Sequence, residues 1–272
     1  MIRDRFYCPV CQMEEMQVLV KTEWYNCPDC REISRRDQML TKRTAKLALA
    51  GTNAFDTPTL TLVATGALTD VGQATATCVT TNFASRVGDR LLVVVSHFAA
   101  TASPTSVAGS ASSNLTLINE NGTSLGLILS TYYSLVSTFT TAVASDAITV
   151  TWGVAFPQGA RVAVFRIGNV RSPGLDKESS AFATSTSPAS GATAALATAP
   201  QLCVGMLAHD TFSNTVSWKN GFSGIHTIDA VTPIPGISVA TLPYNSKTGI
   251  NATATLGTSR DWAASVATFR LP

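Results

Sequence analysis

Ile148-Thr149-Val150-Thr151-Trp152 alternates apolar and hydroxyl side chains, the two-residue period of a strand with one buried face. Leu91-Leu92-Val93-Val94-Val95 is instead a continuous aliphatic run, as in a central strand covered on both sides. Arg161-Val-Ala-Val-Phe-Arg-Ile167 alternates less cleanly and reads the same way. Outward from these three, short β-branched and aromatic runs recur, bounded by Gly, Pro, Asn, Asp or Ser. The expected strands are Thr59–Ala64, Ala74–Thr80, Arg90–His97, Asn114–Ile118, Gly126–Ser134, Ala147–Trp152 and Arg161–Ile167. Gln201–His209, Thr215–Trp218, Gly224–Ile228, Gly236–Leu242, Ile250–Leu256 and Ala263–Phe269 complete the series. Turns are expected at Val87-Gly-Asp-Arg90, Asn119-Glu-Asn-Gly122, Pro157-Gln-Gly159, Lys219-Asn-Gly221 and Ser246-Lys-Thr-Gly249. No amphipathic helix interrupts the runs. A mainly β chain of two packed antiparallel sheets, a jelly-roll-like sandwich, is therefore expected over 57–272. Ser180 to Ala199 reads as a long loop or partly paired edge, and no sequence repeat is evident.

Charge divides the chain of 272 residues. Sixteen of the first 46 positions are charged, nine basic and seven acidic, against 20 of the remaining 226. Beyond Gly51, Thr, Ser and Ala dominate. With charged residues at 13% and a net charge of +2, the chain is neither a disordered polyelectrolyte nor a basic nucleic-acid coat. Leu91–Val95 falls far short of the ~20 apolar residues a membrane helix needs. Met1-Ile-Arg-Asp-Arg-Phe-Tyr-Cys8 has no apolar core of a secretion signal, so synthesis in a cytoplasm is expected. The organisation expected is a compact module over 1–34, a basic connector over 35–56 and the sandwich over 57–272.

Four of the six cysteines make one pattern, Cys8-Pro-Val-Cys11 and Cys27-Pro-Asp-Cys30. Each pair wraps a knuckle whose two sulfurs face one centre, and two knuckles complete a tetrahedron of thiolates. Structural Zn²⁺ fits this ligand set. Iron could take the same sulfurs. Met16-Gln-Val-Leu-Val-Lys and Thr22-Glu-Trp-Tyr-Asn read as two strands between the knuckles. A closed four-sulfur site leaves no position for water or substrate, and the metal would supply much of the folding energy of so short a segment. Residues 5–33 resemble the zinc ribbons, or rubredoxin-like knuckle domains, on Cys8, Cys11, Cys27 and Cys30. Gln12 and Arg31 stand where many such knuckles carry Gly.

Arg31 to Lys46 carries a net +4. Four thiolates with Zn²⁺ contribute about −2 and cancel the +2 of residues 1–46. Few aromatics interleave with these cations, which argues for a connector that contacts an acidic protein surface or is simply solvated, over nucleic acid. Catalytic residues are scarce in the β module. His97, His209 and His226 stand alone, and His209-Asp210 is read as a loop histidine beside a carboxylate. Asp176 and Glu178, the nearest approach to a glycosidase acid pair, are read as surface charges in a polar loop. No Gly-x-Ser-x-Gly elbow, phosphate loop or Asp-x-Asp calcium cluster occurs. No catalytic residue is assigned, and the chain is expected to be non-enzymatic. Cys78 and Cys203 read as buried free thiols.

Val87-Gly-Asp-Arg-Leu-Leu-Val-Val-Val and Asp261-Trp-Ala-Ala-Ser-Val-Ala-Thr-Phe-Arg look like segments of sandwich domains in phage head-decoration and tail proteins. With the zinc knuckle and basic connector, the chain resembles accessory virion proteins of tailed bacteriophages. That resemblance implies a capsid decoration (cement) protein in the virion. Its partners would be the major capsid protein or other virion proteins, together with further copies in a homo-oligomer. The alternative implied is a tail, neck or fibre component whose sandwich binds a surface glycan, stacking sugars on Trp152, Trp218, Trp262, Tyr132 or Tyr133. A polysaccharide depolymerase is the third reading.

Overall fold

The computed structural model divides the chain into two compact units, Met1–Thr57 and Pro58–Pro272. It describes five strands of the first unit and residues 58–68, 76–85, 90–98, 103–109, 115–122, 126–134, 143–153, 159–171, 174–210, 215–232 and 234–271 of the second.

In the first unit, β1 (Phe6–Tyr7) pairs antiparallel with β5 (Leu40–Thr41). β2 (Gln17–Val18), β3 (Trp24–Asn26) and β4 (Ile33–Arg35) form a three-stranded antiparallel sheet with Gln17 opposite Asn26 and Trp24 opposite Arg35. The β2–β3 pair joins the two segments read as strands between the knuckles. β5 falls inside the stretch read as a connector.

The second unit is all β among its described residues. Its strands are β6 (Thr59–Leu68), β7 (Thr77–Val79), β8 (Phe83–Ser85), β9 (Arg90–Phe98), β10 (Ser106–Gly109), β11 (Leu115–Gly122), β12 (Leu127–Ser134), β13 (Val143–Asp146), β14 (Ile148–Thr151) and β15 (Ala160–Gly168). There follow β16 (Leu175–Ser185), β17 (Gln201–His209), β18 (Val216–Trp218), β19 (Ser223–Ile228), β20 (Gly236–Tyr244), β21 (Ala254–Leu256) and β22 (Arg260–Arg270). All thirteen expected runs hold a strand. β8, β10, β13 and β16 are additional. The expected turn at Asn119–Gly122 is instead the end of β11, and Leu175–Ser185 is an edge strand, over a stretch read as a polar loop before Ser180 and as a long loop or partly paired edge from Ser180 on. Among the described strands it pairs only with β22; none of its residues is buried as a whole and its sequence carries no apolar periodicity.

Two five-stranded sheets organise the unit, in the orders β6-β15-β9-β12-β11 and β16-β22-β17-β20-β19. With the separate β8–β13 pair of the first half set aside, and segment 186–193 counted as the second strand of the second half, both orders are the same: first, eighth, third, sixth, fifth. The remaining strands repeat too. β7-β14-β10 covers the first sheet as second, seventh and fourth strands. Beside the second sheet, β21 pairs with β18 and, through Ala189 opposite Thr253, with segment 186–193. Each half is thus a jelly roll, two antiparallel sheets joined in Greek-key order.

The duplication extends to single hydrogen bonds. Thr80 N donates to Ile148 O and Trp152 N to Ala76 O, while Ser190 N donates to Ala252 O and Leu256 N to Thr186 O. The Thr80 hydroxyl accepts from Ile148 N at 3.0 Å, and the Ser190 hydroxyl accepts from Ala252 N at 3.0 Å. The bulges match as well. Val63 is extra opposite Val164 and Phe165, and Asp176 is extra opposite Thr268 and Phe269. With this frame a faint sequence echo emerges, Thr149/Thr253, Thr151/Thr255, Gly153/Gly257, Val162/Val266, Ala163/Ala267, Phe165/Phe269 and Arg166/Arg270, every pair 104 positions apart. It escapes a reading by eye because the matches fall on scattered small and apolar residues.

The two large sheets face one another. Leu92, Val94, Ala163 and Phe165 of the first repeat share a core with Leu202, Val204, Ala267 and Phe269 of the second. Because each sheet also carries a covering layer, its central strands are buried on both faces. This accounts for the unbroken run Leu91–Val95, whose odd residues Leu91, Val93 and Val95 join Val150 and Trp152 on the outer side. Cys203, Ala240 and Val266 likewise pack outward under Phe222, Ile250 and Ala252. β11 lies against β16 and β22, while Phe165 of β15 meets the ring of His226 on β19. These reciprocal contacts follow an approximate two-fold axis parallel to the strands.

Candidate metal centre

Cys8, Cys11, Cys27 and Cys30 lie outside the described residues, so the structure states their surroundings only through the adjoining strands. β1 ends at Tyr7, one residue before Cys8, and β3 ends at Asn26, one residue before Cys27. Each Cys-x-x-Cys segment thus follows a paired strand directly in the sequence. The donor set itself, four thiols in two Cys-x-x-Cys pairs, has the chemistry of a closed zinc or iron site.

Among the described residues of the large unit no three His, Cys, Asp or Glu side chains come together as a metal site. His97 is fully buried on β9 with its ring 5.5 Å from that of Trp152, edge to face, and burial pushes its pKa down to about 3. His209 is fully buried within β17 and is no loop residue. The strand runs one residue further than its apolar pattern because β20 and β22 pair with it to the end, at Gly236 and Trp262. His226 is half-buried, its pKa lowered by burial and by the charge of Arg161. The three occupy different neighbourhoods.

Asp176 and Glu178 belong to β16, correcting their assignment to a loop. The Asp176 carboxylate is wholly buried and sits at the bulge, which turns it inward. It accepts hydrogen bonds from Ala197 N at 2.8 Å, Gln201 Nε2 at 2.5 Å, and Arg270 Nη2 and Nε at 2.9 and 3.2 Å. Burial alone would raise its pKa. The bonds from Gln201, Ala197 and Arg270, with the Arg270 charge, outweigh that and hold the carboxyl below its usual range. Glu178 is exposed and accepts from Asn119 Nδ2 on β11. The two carboxylates therefore serve different partners and do not converge on a glycosidic bond. Sequence offers no signal for the Asp176–Arg270 pair, since the bulge that aims Asp176 depends on the pairing of β16 with β22.

The stacking platforms proposed for sugars are in the core. Tyr133 and Trp152 are fully buried, Trp262 is 4% exposed and Tyr132 5%. Trp218 is half-buried and donates Nε1–H to the Ser238 hydroxyl at 3.0 Å. The apolar layers on both sides of each sheet consume these rings. Cys78 and Cys203 are buried free thiols, as expected, in separate cores on the outer sides of the two sheets. Burial pushes both thiols up to about 12, so neither is a thiolate at neutral pH.

Comparison with family models, with curated proteins and with solved structures finds no match to this chain.

Proposed function

We propose that the chain is a non-enzymatic structural protein of a bacteriophage virion, most specifically a capsid decoration protein that binds the particle and stabilises it. The observation that carries this reading is the duplicated jelly roll. Two β-sandwiches stacked sheet to sheet make a body buried through four layers, an architecture suited to bearing load and recurrent in viral capsids. The body's exterior is supplied mainly by Thr, Ser and Ala, which allow close approach between copies with little charge repulsion. In this reading Cys8, Cys11, Cys27 and Cys30 hold a structural Zn²⁺, which folds the N-terminal module into a docking foot and does no chemistry of its own. The major capsid protein or another virion component is the partner, and copies associate as a homo-oligomer.

Gradient-purified virions carrying the chain provide the test. Quantitative mass spectrometry should find it in fixed, multiple-copy stoichiometry, and electron cryo-microscopy should place it on the head. Deleting residues 1–46 should abolish incorporation. Absence of the chain from particles, or full incorporation without residues 1–46, would overturn the proposal.

A further inference from the structure

We infer that the end of the body where the two jelly rolls are joined is a docking face for an acidic protein surface. The end is defined by a chain of contacts. Arg90 Nη1 donates to Arg171 O at 2.7 Å and also to Val170 O. Arg171 N donates to Arg270 O at 2.8 Å. Arg270 holds Asp176, whose carboxylate also takes Ala197 N, and Leu196 N donates to Lys247 O at 2.8 Å. Arg166, the counterpart of Arg270 in the first repeat, donates Nη2–H to Ala84 O at 2.6 Å, and Lys177 pairs with Thr268 on the same side. Six cations, Arg90, Arg166, Arg171, Lys177, Lys247 and Arg270, therefore gather around one exit of the approximate two-fold axis. The described carboxylates there are Asp146 and Asp176, both buried, and Glu178, which is exposed; Glu120, also exposed, follows Asn119, the partner of Glu178. At the far end Arg161 and Arg260 are offset by Asp210, Asp229 and Asp261.

One feature in particular makes this end a face for carboxylates. Arg90 and Arg166 are held by backbone carbonyls and Arg270 by Asp176, so their positions are set before a partner arrives, and a fixed guanidinium loses less freedom on binding than a free one. A nucleic acid is the less fitting partner. The whole chain carries only +2, so no long-range field gathers a polyanion, whereas a local patch suffices against a protein surface of opposite sign.

The inference supplies the contact face for the structural role proposed above and rests on that role only for the partner's identity. The test uses the full-length chain and two charge-matched double variants. Arg171→Glu with Lys247→Glu reverses two exposed cations of this face, and Arg161→Glu with Arg260→Glu reverses the two cations of the far end. Binding to immobilised poly-L-glutamate and to a duplex DNA of equal charge is measured across a salt series. R171E/K247E should weaken poly-glutamate binding about tenfold, with the control pair within about twofold of the parent. Equal loss in both variants, or no binding by the parent, overturns the inference, and tighter binding of the parent to DNA reassigns the face to nucleic acid. In particles, normal incorporation of R171E/K247E would sink the face while leaving the virion role standing. A parent chain absent from particles that still binds poly-glutamate would do the reverse.

Discussion

Truncating Phe269 to Ala tests whether the two jelly rolls fold as one body. Phe269 is fully buried in the core between the large sheets, its ring 4.9 Å from Tyr133 of the other repeat. Removing a ring at such a site costs the transfer energy of the lost atoms plus that of the cavity, about 3–5 kcal/mol. Phe165, its counterpart in the first repeat, is buried to the same degree in the same core, so Phe165→Ala should cost a similar amount. For a unit of this size each kcal/mol lowers the melting temperature by roughly 2–4 °C, so either variant should melt about 6–20 °C below the parent. Differential scanning calorimetry is the assay. Because both rings belong to a core shared by the repeats, the whole transition assigned to the β body should move in each variant. If Phe269→Ala instead splits off one lowered transition and leaves a second at the parental temperature, the repeats are energetically independent and the reasoning from a common core fails.

Asp176→Asn should destabilise the body by about 1.5–3 kcal/mol, because it removes the charged acceptor of the Ala197, Gln201 and Arg270 hydrogen bonds while the partly exposed Arg270 keeps solvent; urea denaturation at pH 7 measures this. The stability Asp176 contributes is present above its unfolded pKa and lost as pH falls through the lower folded value, so the acid limb of the parent's stability profile should flatten in the variant. His97 acts in the same direction by another route. Its folded pKa of about 3 lies below the unfolded value of 6.5, so the unfolded state alone takes up the proton in that window and stability falls with pH, by about 2 kcal/mol between pH 6.5 and 5. A urea midpoint unchanged between those pH values would refute the buried neutral histidine. Gly249→Ala should lower stability, since an added Cβ would stand 2.2 Å from the carbonyl oxygen of Thr193, a backbone atom that cannot swing aside; a thermal melt equal to the parent's would show that the 245–250 loop moves freely.

The sheets were legible in the sequence wherever burial imposes a rule. Ile148–Trp152 shows the period of a one-sided strand and Leu91–Val95 the unbroken run of a two-sided one, and both are strands with those exposures. Edge positions obey no such rule, which is why Leu175–Ser185 and Ser106–Gly109 escaped a reading by hydrophobic period. The repeat escaped for a related reason. Packing fixes that Phe165 and Phe269 be large and apolar, while between them the chain is free to drift, so topology persists where identity does not. Side chains judged by type alone misled in both directions. Tyr132 and Tyr133 suggested sugar platforms, yet the covering layers leave them inside. Asp176 suggested a surface charge, yet a one-residue bulge buries it against Arg270. The proposed metal ligands rest on another kind of signal, spacing along the chain, and Cys8, Cys11, Cys27 and Cys30 lie outside the described residues.

The most direct test of a metal-clamped foot carried on an inert β body is elemental analysis of the purified full-length chain, paired with thiol titration before and after chelation. One zinc per chain is the result predicted, with all six thiols unreactive while zinc is bound. Removing the metal from the native protein should release four thiols, and Cys78 and Cys203 should react only on unfolding. A chain that holds no transition metal, and whose four N-terminal thiols alkylate freely from the outset, would contradict the account.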